Sequence, residues 1–279
     1  MRLASWVRDG LERFGAVDDD GGLRDLTGWA AQPTLRSVLD NGMLPLLQLV
    51  AGDARVTGRI DDTTLLAPVP QPDKCLCLGF GPAGDAGIHH LVLRSPGSIV
   101  GHGQPLLRPA AGPGYAITGG IVLVVGRAGR HIAAEEAIGY LAGATLCIAG
   151  RMQGPAIGPT QGMNFNRSGS IGPCMVTADA IDLAAPLELT LRVNGAVRQQ
   201  ASTARLPGSL AHTVAGLSAV MTLLPGDLIV IGLPGGGDQA AQWPVAGDML
   251  EAEVPGIGTL ANPVADEAPI AGQADPALQ

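Results

Sequence analysis

The sequence predicts a strand-rich α+β fold with a small α/β unit at its N-terminal end, on three observations. The 279 residues carry 41 glycines and 22 prolines, which interrupt the chain too often for long helices. The apolar runs between these breaks are short and aliphatic, as in Cys75–Phe80 and Ile121–Val125. Aromatic residues make up 3% of a chain that is 46% hydrophobic, so the core is built from Ala, Val, Leu and Ile. A chain of this length buries one large core, or a small one beside a larger one.

Taken in order, Arg13–Val17 and Leu23–Leu26 read as short strands around the turn Asp18–Gly22. Residues 34–50 have helical spacing, with Leu35, Val38, Leu39, Leu44 and Leu47 on one face and Gly42 as a point of division. Thr64–Ala67 reads as a strand, and Pro68, Pro70 and Pro72 form a stiff connector. Beyond it, Cys75–Phe80, His90–Arg94 and Gly120–Gly126 are β-like. Ala134–Leu141 suits a short helix, with Glu135 and Glu136 at its N-terminal end, where the helix dipole favours anions. Gly143–Ala149 returns to strand character, and residues 150–170 read as a long polar loop. Leu187–Val193 and Val197–Ser202 flank the hairpin turn Asn194-Gly195. Ser209–Leu223 is the last helix, and Asp227–Gly232, Met249–Val254 and Gly258–Leu260 are closing strands. The organisation expected is a small N-terminal domain over 1–64, a main domain over 65–264, and a disordered acidic tail over 265–279.

A net charge of −8 argues against a nucleic-acid partner, which needs a clustered basic surface. No run approaches the roughly 18 apolar residues of a membrane span. No apolar leader with a cleavage site follows Met1, so the expected location is cytoplasmic. Cys75, Cys77, Cys147 and Cys174 make neither a disulfide framework nor a zinc pattern, and read as buried apolar thiols. Cys75 and Cys77 share one face of their strand. His102, His131 and His212 read as surface residues.

Four segments then combine into a recognisable order. They are LLAPVPQPDKCLCLG (Leu65–Gly79), the hairpin containing LRVNG (Leu191–Gly195), LSAVMTLLPGD (Leu217–Asp227) followed by IVIGLPG, and GIGTLANPV (Gly256–Val264). In order and spacing they resemble the fumarylacetoacetate hydrolase family over residues 65–264. The resemblance implies a mixed β-roll or sandwich, a homodimer, and metal-assisted hydrolysis, decarboxylation or isomerisation of small oxo-acids. The family holds its hard divalent cation with a Glu-x-Glu pair and an Asp, and the ion polarises the substrate carbonyls. Here Thr118 and Gly120 fall in place of the glutamates and Ala149 in place of the aspartate. Met163 replaces the family's lysine, Asn166 the aspartate that follows it, and Leu233 the threonine of its Gly-Thr-Pro loop. Asp85 and Ile88 stand where a His-x-x-Glu dyad is expected. From Ala86 to Ala178 the carboxylates are Glu135 and Glu136 alone.

The polar groups left for chemistry are Arg151, Gln153, Gln161, Asn164, Asn166 and Arg167 of the 150–170 segment, with Arg94 in the segment that resembles the family's Leu-Lys-Pro-Pro. Such donors suit a carboxylate or an enolate. Of the adjacent His89 and His90 one faces inward, and an inward His89 beside Asp85 would serve as acid or base. Tyr115 and Thr118 offer hydroxyls, and Met163 and Leu233 an apolar wall. The expected catalytic set is Asp85, His89, Arg151 and Asn166. Arg94, Tyr115, Thr118, Gln153, Gln161, Met163, Asn164, Arg167 and Leu233 are expected to bind substrate, with no metal and no cofactor. Three functions remain open: a metal-independent enzyme that cyclises, isomerises or dehydrates a small oxo-acid or polyketide-like molecule, a non-catalytic ligand binder or partner subunit, and a metal-dependent hydrolase.

Overall fold

The computed structural model describes residues 1–80, 88–109, 115–152, 154, 156–233 and 244–267, without the side chains of Phe80 and residues 88–90. The first part of the chain forms β1 (Arg2–Arg8), β2 (Leu11–Val17), β3 (Gly22–Asp25), α1 (Leu35–Asp40), α2 (Leu44–Val50), β4 (Val56–Arg59) and β5 (Thr64–Leu65). Gly42, at φ 63°, lies between α1 and α2, where the sequence places the break. Thr34 and Ser37 form a reciprocal capping box at the start of α1. Most of the first ten residues form β1, an element the charged ends Arg2 and Arg8 conceal.

The middle of the chain gives β6 (Cys75–Phe80), β7 (Ile88–Leu93), β8 (Ile99–Val100), β9 (Leu106–Arg108), β10 (Tyr115–Val125), β11 (Leu141–Met152), α3 (Pro159–Met163) and β12 (Gly169–Thr177). It continues with β13 (Glu188–Val193), β14 (Ala196–Ser202), α4 (Leu210–Val220), β15 (Leu228–Gly232), β16 (Met249–Val254) and β17 (Gly258–Asp266). The Asn194-Gly195 turn has φ 50° and 77°, the left-handed geometry a tight hairpin requires.

Three readings are corrected. Glu135 and Glu136 lie in a turn before a short 3-10 helix (Ala137–Tyr140), since Gly139 and the following strand leave no room for an α-helix. The 150–170 segment is less loop than its composition suggests: β11 runs to Met152, α3 occupies its middle, and β12 begins at Gly169. The closing strand continues past Leu260 to Asp266, where β17 pairs with β9 through Val264–Leu106 and Asp266–Arg108.

Ten strands follow one another in a large sheet in the order β4-β3-β2-β1-β12-β11-β10-β15-β6-β7, with β5 and β8 attached. The N-terminal strands enter it through Arg2–Val176 and Leu3–Met175 of the β1–β12 pair. A second sheet, β14-β13-β16-β17-β9, packs on one face. β10 shows why its sequence is a continuous apolar run. Ile121, Leu123 and Val125 point into the layer between the sheets, and Val122 and Val124 into a second layer under α1 and α2. Both faces are buried, so the period-two alternation disappears. Among the described residues no helix is long and apolar enough to cross a membrane.

Candidate functional site

The first half of β10, the last half of β11 and the C-terminal ends of β6 and β15 converge at one end of the large sheet. There they enclose a cavity of about 370 Å³. The period of two along each strand decides what faces it. Cys77 and Gly79 come from β6, Ala116 and Thr118 from β10, and Cys147, Ala149 and Arg151 from β11. Val92, Val230, Met163 of α3 and Leu233 complete much of the wall.

Thr118 is paired with Ala149, and Gly120 with Cys147 on one side and Gly232 on the other. The backbone at Gly120 is closed to any side chain: a Cβ there would lie 2.5 Å from the carbonyl oxygen of Ile231 and 3.0 Å from Cys147 Sγ. A polar strut from the second sheet holds the wall. Gln199 Oε1 accepts the Gly119 N–H at 2.8 Å, and its amide donates to the Leu233 carbonyl at 2.7 Å.

Beside the wall lies Arg94, 5% exposed. Its Nη2 donates to Ser168 Oγ at 2.7 Å and its Nε to Ser98 Oγ at 3.3 Å, and no carboxylate among the described residues pairs with it. Ser168 Oγ in turn donates to the Met163 carbonyl at 2.7 Å. The guanidinium fits because residue 169 is glycine: a Cβ would stand 2.5 Å from Cζ. Cys77 lies in the field of this cation. A hydrogen bond from Cys75 and the positive charge of Arg94 outweigh burial and lower the Cys77 thiol, whereas Cys75 is raised. Burial pushes Cys147, in the same cavity, up to about 12.

Of the residues singled out in the sequence, Thr118, Arg151, Met163 and Leu233 come together on this cavity. Tyr115 does not. The alternation of β10 turns it to the opposite face, where its ring meets Phe165 edge-on at 6.0 Å. Asn164 is spent on structure, accepting from Ser95 N–H at 2.6 Å and donating to the carbonyls of Leu93 and Thr160. Gln161, Asn166 and Arg167 are exposed and absent from the cavity lining, Gln161 on the outer side of α3 and the other two in the turn that follows it. Arg94 stands behind the wall rather than in it. Asp85, Gln153 and the side chain of His89 lie outside the described residues. His102 is half-buried, not a surface group, and its Nδ1 accepts the Ala261 N–H at 3.1 Å. Sequence reading passed over Cys77, Cys147 and Gln199; the one available signal was the alternate spacing of Cys75 and Cys77.

Residues 81–265 match the family model described as fumarylacetoacetate (FAA) hydrolase C-terminal. The chain belongs to the fumarylacetoacetate hydrolase family. The mitochondrial oxaloacetate tautomerase Fahd2a of Rattus norvegicus is 29% identical over 72% of this chain and 69% of its own length. The fumarylacetoacetate hydrolase of Exiguobacterium antarcticum superposes with a TM-score of 0.80 at 26% identity, over 96% of this chain and all of that one. The maleylpyruvate hydrolase of Sphingobium sp. SYK-6, in complex with manganese(II) and pyruvate, gives 0.81 at 25% identity over the same shares.

Such an ion is hard and takes oxygen ligands, chiefly carboxylates. The described lining of this family member offers the Thr118 hydroxyl, two thiols and no Asp, Glu or His. Among the described residues no group of three His, Cys, Asp or Glu side chains is placed to hold a metal. With Gly120 closed to a side chain and Ala149 beside Thr118, the described residues do not fit a hard divalent cation.

Proposed function

We propose that this chain is an enzyme that isomerises a small oxo-acid in the Thr118–Ala149–Arg151 cavity by hydrogen-bonding and proton transfer, without a divalent metal. The observation that carries this reading is the lining itself, where, among the described residues, Arg151 is the charged group and no carboxylate stands at the wall. A volume of about 370 Å³ suits a molecule of the oxo-acid or small polyketide class. Arg151 pairs with the substrate carboxylate. The Thr118 hydroxyl donates to the oxygen on which enolate charge develops. The proton transfer is assigned to Asp85 and His89, the acid–base pair that the sequence offers. The names of the relatives, a tautomerase and a maleylpyruvate hydrolase, support an oxo-acid as substrate.

The apolar remainder of the wall, Val92, Met163 and Leu233, favours a second reading as a ligand binder without turnover. Resemblance to the family adds a homodimer, a state supported by the exposed Leu91 (41%) and Leu93 (59%) on the edge strand β7.

The test is tautomerisation of oxaloacetate and related oxo-acids by protein stripped with a chelator, repeated in excess magnesium, with native mass spectrometry on both samples. Turnover equal in the two samples supports the reading. Turnover that appears only with bound metal restores the metal-dependent hydrolase, and retained ligand without turnover selects the binder.

A further inference from the structure

We propose that Cys77 is a covalent capture site, its thiol adding to the β-carbon of an α,β-unsaturated carbonyl compound bound in the cavity. The proposal goes beyond the isomerase reading, since capture requires no turnover.

The case begins with the alternation of β6. Leu76 and Leu78 join the core between the sheets, which turns Cys75 and Cys77 to the other face. Cys77 lies further along the strand and reaches the cavity wall, and Cys75 stays beneath it. On that face lies the buried guanidinium of Arg94, packed against Gly169 directly opposite Ala149 of the cavity wall, satisfied by two serine hydroxyls and paired with no carboxylate among the described residues. A buried cation without a counter-charge is costly, and an adjacent group that can become an anion relieves it. The ionisable groups in its field are the thiols Cys75, Cys77 and Cys147 and the phenol of Tyr115. Tyr115 is on the wrong face, Cys75 is covered, and the Cys147 thiol packs against the Gly120 backbone of β10. Cys77 alone of these combines the cation, a neighbouring S–H donor and access to the cavity. Arg151 lines the same cavity and adds a second positive charge for an acidic ligand.

A thiolate beside a cation in an accessible cleft is the reactive form of cysteine. The step balances without an oxidant or a leaving group. The sulfur forms a bond to the β-carbon, the π electrons move to the carbonyl as an enolate, and the proton given up by the thiol finishes on the α-carbon. The ligand class is an enone that carries a carboxylate.

The probe is acetylacrylate, an enone acid, incubated at neutral pH with the full-length chain and read by intact mass and peptide mapping. One probe mass per chain is expected, on Cys77, formed at least about tenfold faster than on Cys75, Cys147 or Cys174, since a thiol beside a cation in an accessible cleft is the reactive one. Cys77→Ser abolishes this adduct and Cys147→Ser keeps it. Mapping the wild-type chain decides the matter even where a variant folds poorly. Labelling of Cys147 or Cys75 at a rate comparable to Cys77, or no adduct while a free cysteine peptide reacts in the same tube, overturns the proposal. Neither result depends on oxo-acid turnover, so this proposal and the isomerase reading fail separately.

Discussion

Gln199 brackets Gly119 across the gap between the two sheets: its Oε1 accepts the Gly119 N–H at 2.8 Å, and its amide approaches the Gly119 carbonyl at 3.4 Å. The same amide donates to Leu233 at 2.7 Å, so one side chain from β14 ties two strands of the cavity wall. Gln199 is 3% exposed, and these bonds satisfy backbone groups that water does not reach. The second sheet therefore does more than cover the first. It sets the position of the β10 and β15 ends from which Thr118 and Leu233 face the cavity.

Replacing that strut with an apolar side chain of similar size tests its role. Gln199→Leu leaves the Gly119 N–H and the Leu233 carbonyl without partners, a loss of about 3 kcal/mol of folding stability. Chemical denaturation of the variant measures the loss, with the slope of the transition unchanged. A change below about 0.5 kcal/mol, within the range of ordinary surface substitutions, means the wall does not rest on this contact.

Arg94 and Gly169 offer a steric version of the same experiment. A methyl group at residue 169 would meet the guanidinium at 2.5 to 2.8 Å, and Arg94 has serine partners on both sides that resist its retreat. Gly169→Ala is expected to destabilise by about 1–3 kcal/mol, the usual cost of overpacking. It also moves the cation away from the cavity face. A crystal structure of the variant with Arg94 unmoved would contradict the tight fit.

These contacts mark where sequence reading stops. The strands that were legible, β6, β15 and β16, are aliphatic runs bounded by turn residues, and the Asn194-Gly195 hairpin announces itself by its turn chemistry. β12 was not legible, because Gly169, Ser170, Gly172 and Pro173 look like loop until β11 and β1 are seen to pair on either side. The cavity was half legible. Thr118, Ala149, Met163 and Leu233 were located by alignment to family motifs, and they do meet. Polar composition misled at Asn164, Asn166 and Arg167, since composition does not say whether a side chain turns inward, outward or back onto its own loop. The Gln199 strut joins residues 80 apart in sequence and leaves no local trace.

Tyr115 gives a prediction in pH. Its hydroxyl is buried without a partner among the described residues, and burial, opposed by the charge of Arg94, pushes the phenol up to about 12. The fold thus keeps the neutral form where an unfolded tyrosine ionises near pH 10. Above that pH the unfolded chain holds fewer protons than the native one, so stability falls as pH rises, from about 10 to about 12. Cys147, raised to about 12, and Cys174, raised to about 11, add losses of the same sign from about pH 9. Urea titrations across this range should show a continuous decline. In Tyr115→Phe the decline between about 10 and 12 becomes shallower, with the Cys147 and Cys174 losses left in place. At neutral pH the variant is as stable as the wild type or up to about 1 kcal/mol more so, because an unsatisfied hydroxyl has been removed.

Arg151 carries the last prediction. It lines the cavity, is exposed, and has no carboxylate partner among the described residues, so removing it leaves no buried charge behind. Arg151→Ala should therefore leave the melting transition unchanged while weakening oxo-acid binding. A charge-assisted bond to a carboxylate contributes about 1.5–3 kcal/mol, and solvent screening at an exposed site reduces this to about 1–2, a loss of roughly five- to thirtyfold in affinity. Arg151→Lys keeps the charge but not the planar fork, and falls between the two. Binding by the wild type weakens with added salt, and binding by Arg151→Ala responds less. Calorimetric titration with pyruvate and oxaloacetate at two salt concentrations measures all of this. Equal affinity in wild type and Arg151→Ala would place the carboxylate elsewhere and remove the cation on which the isomerase reading depends.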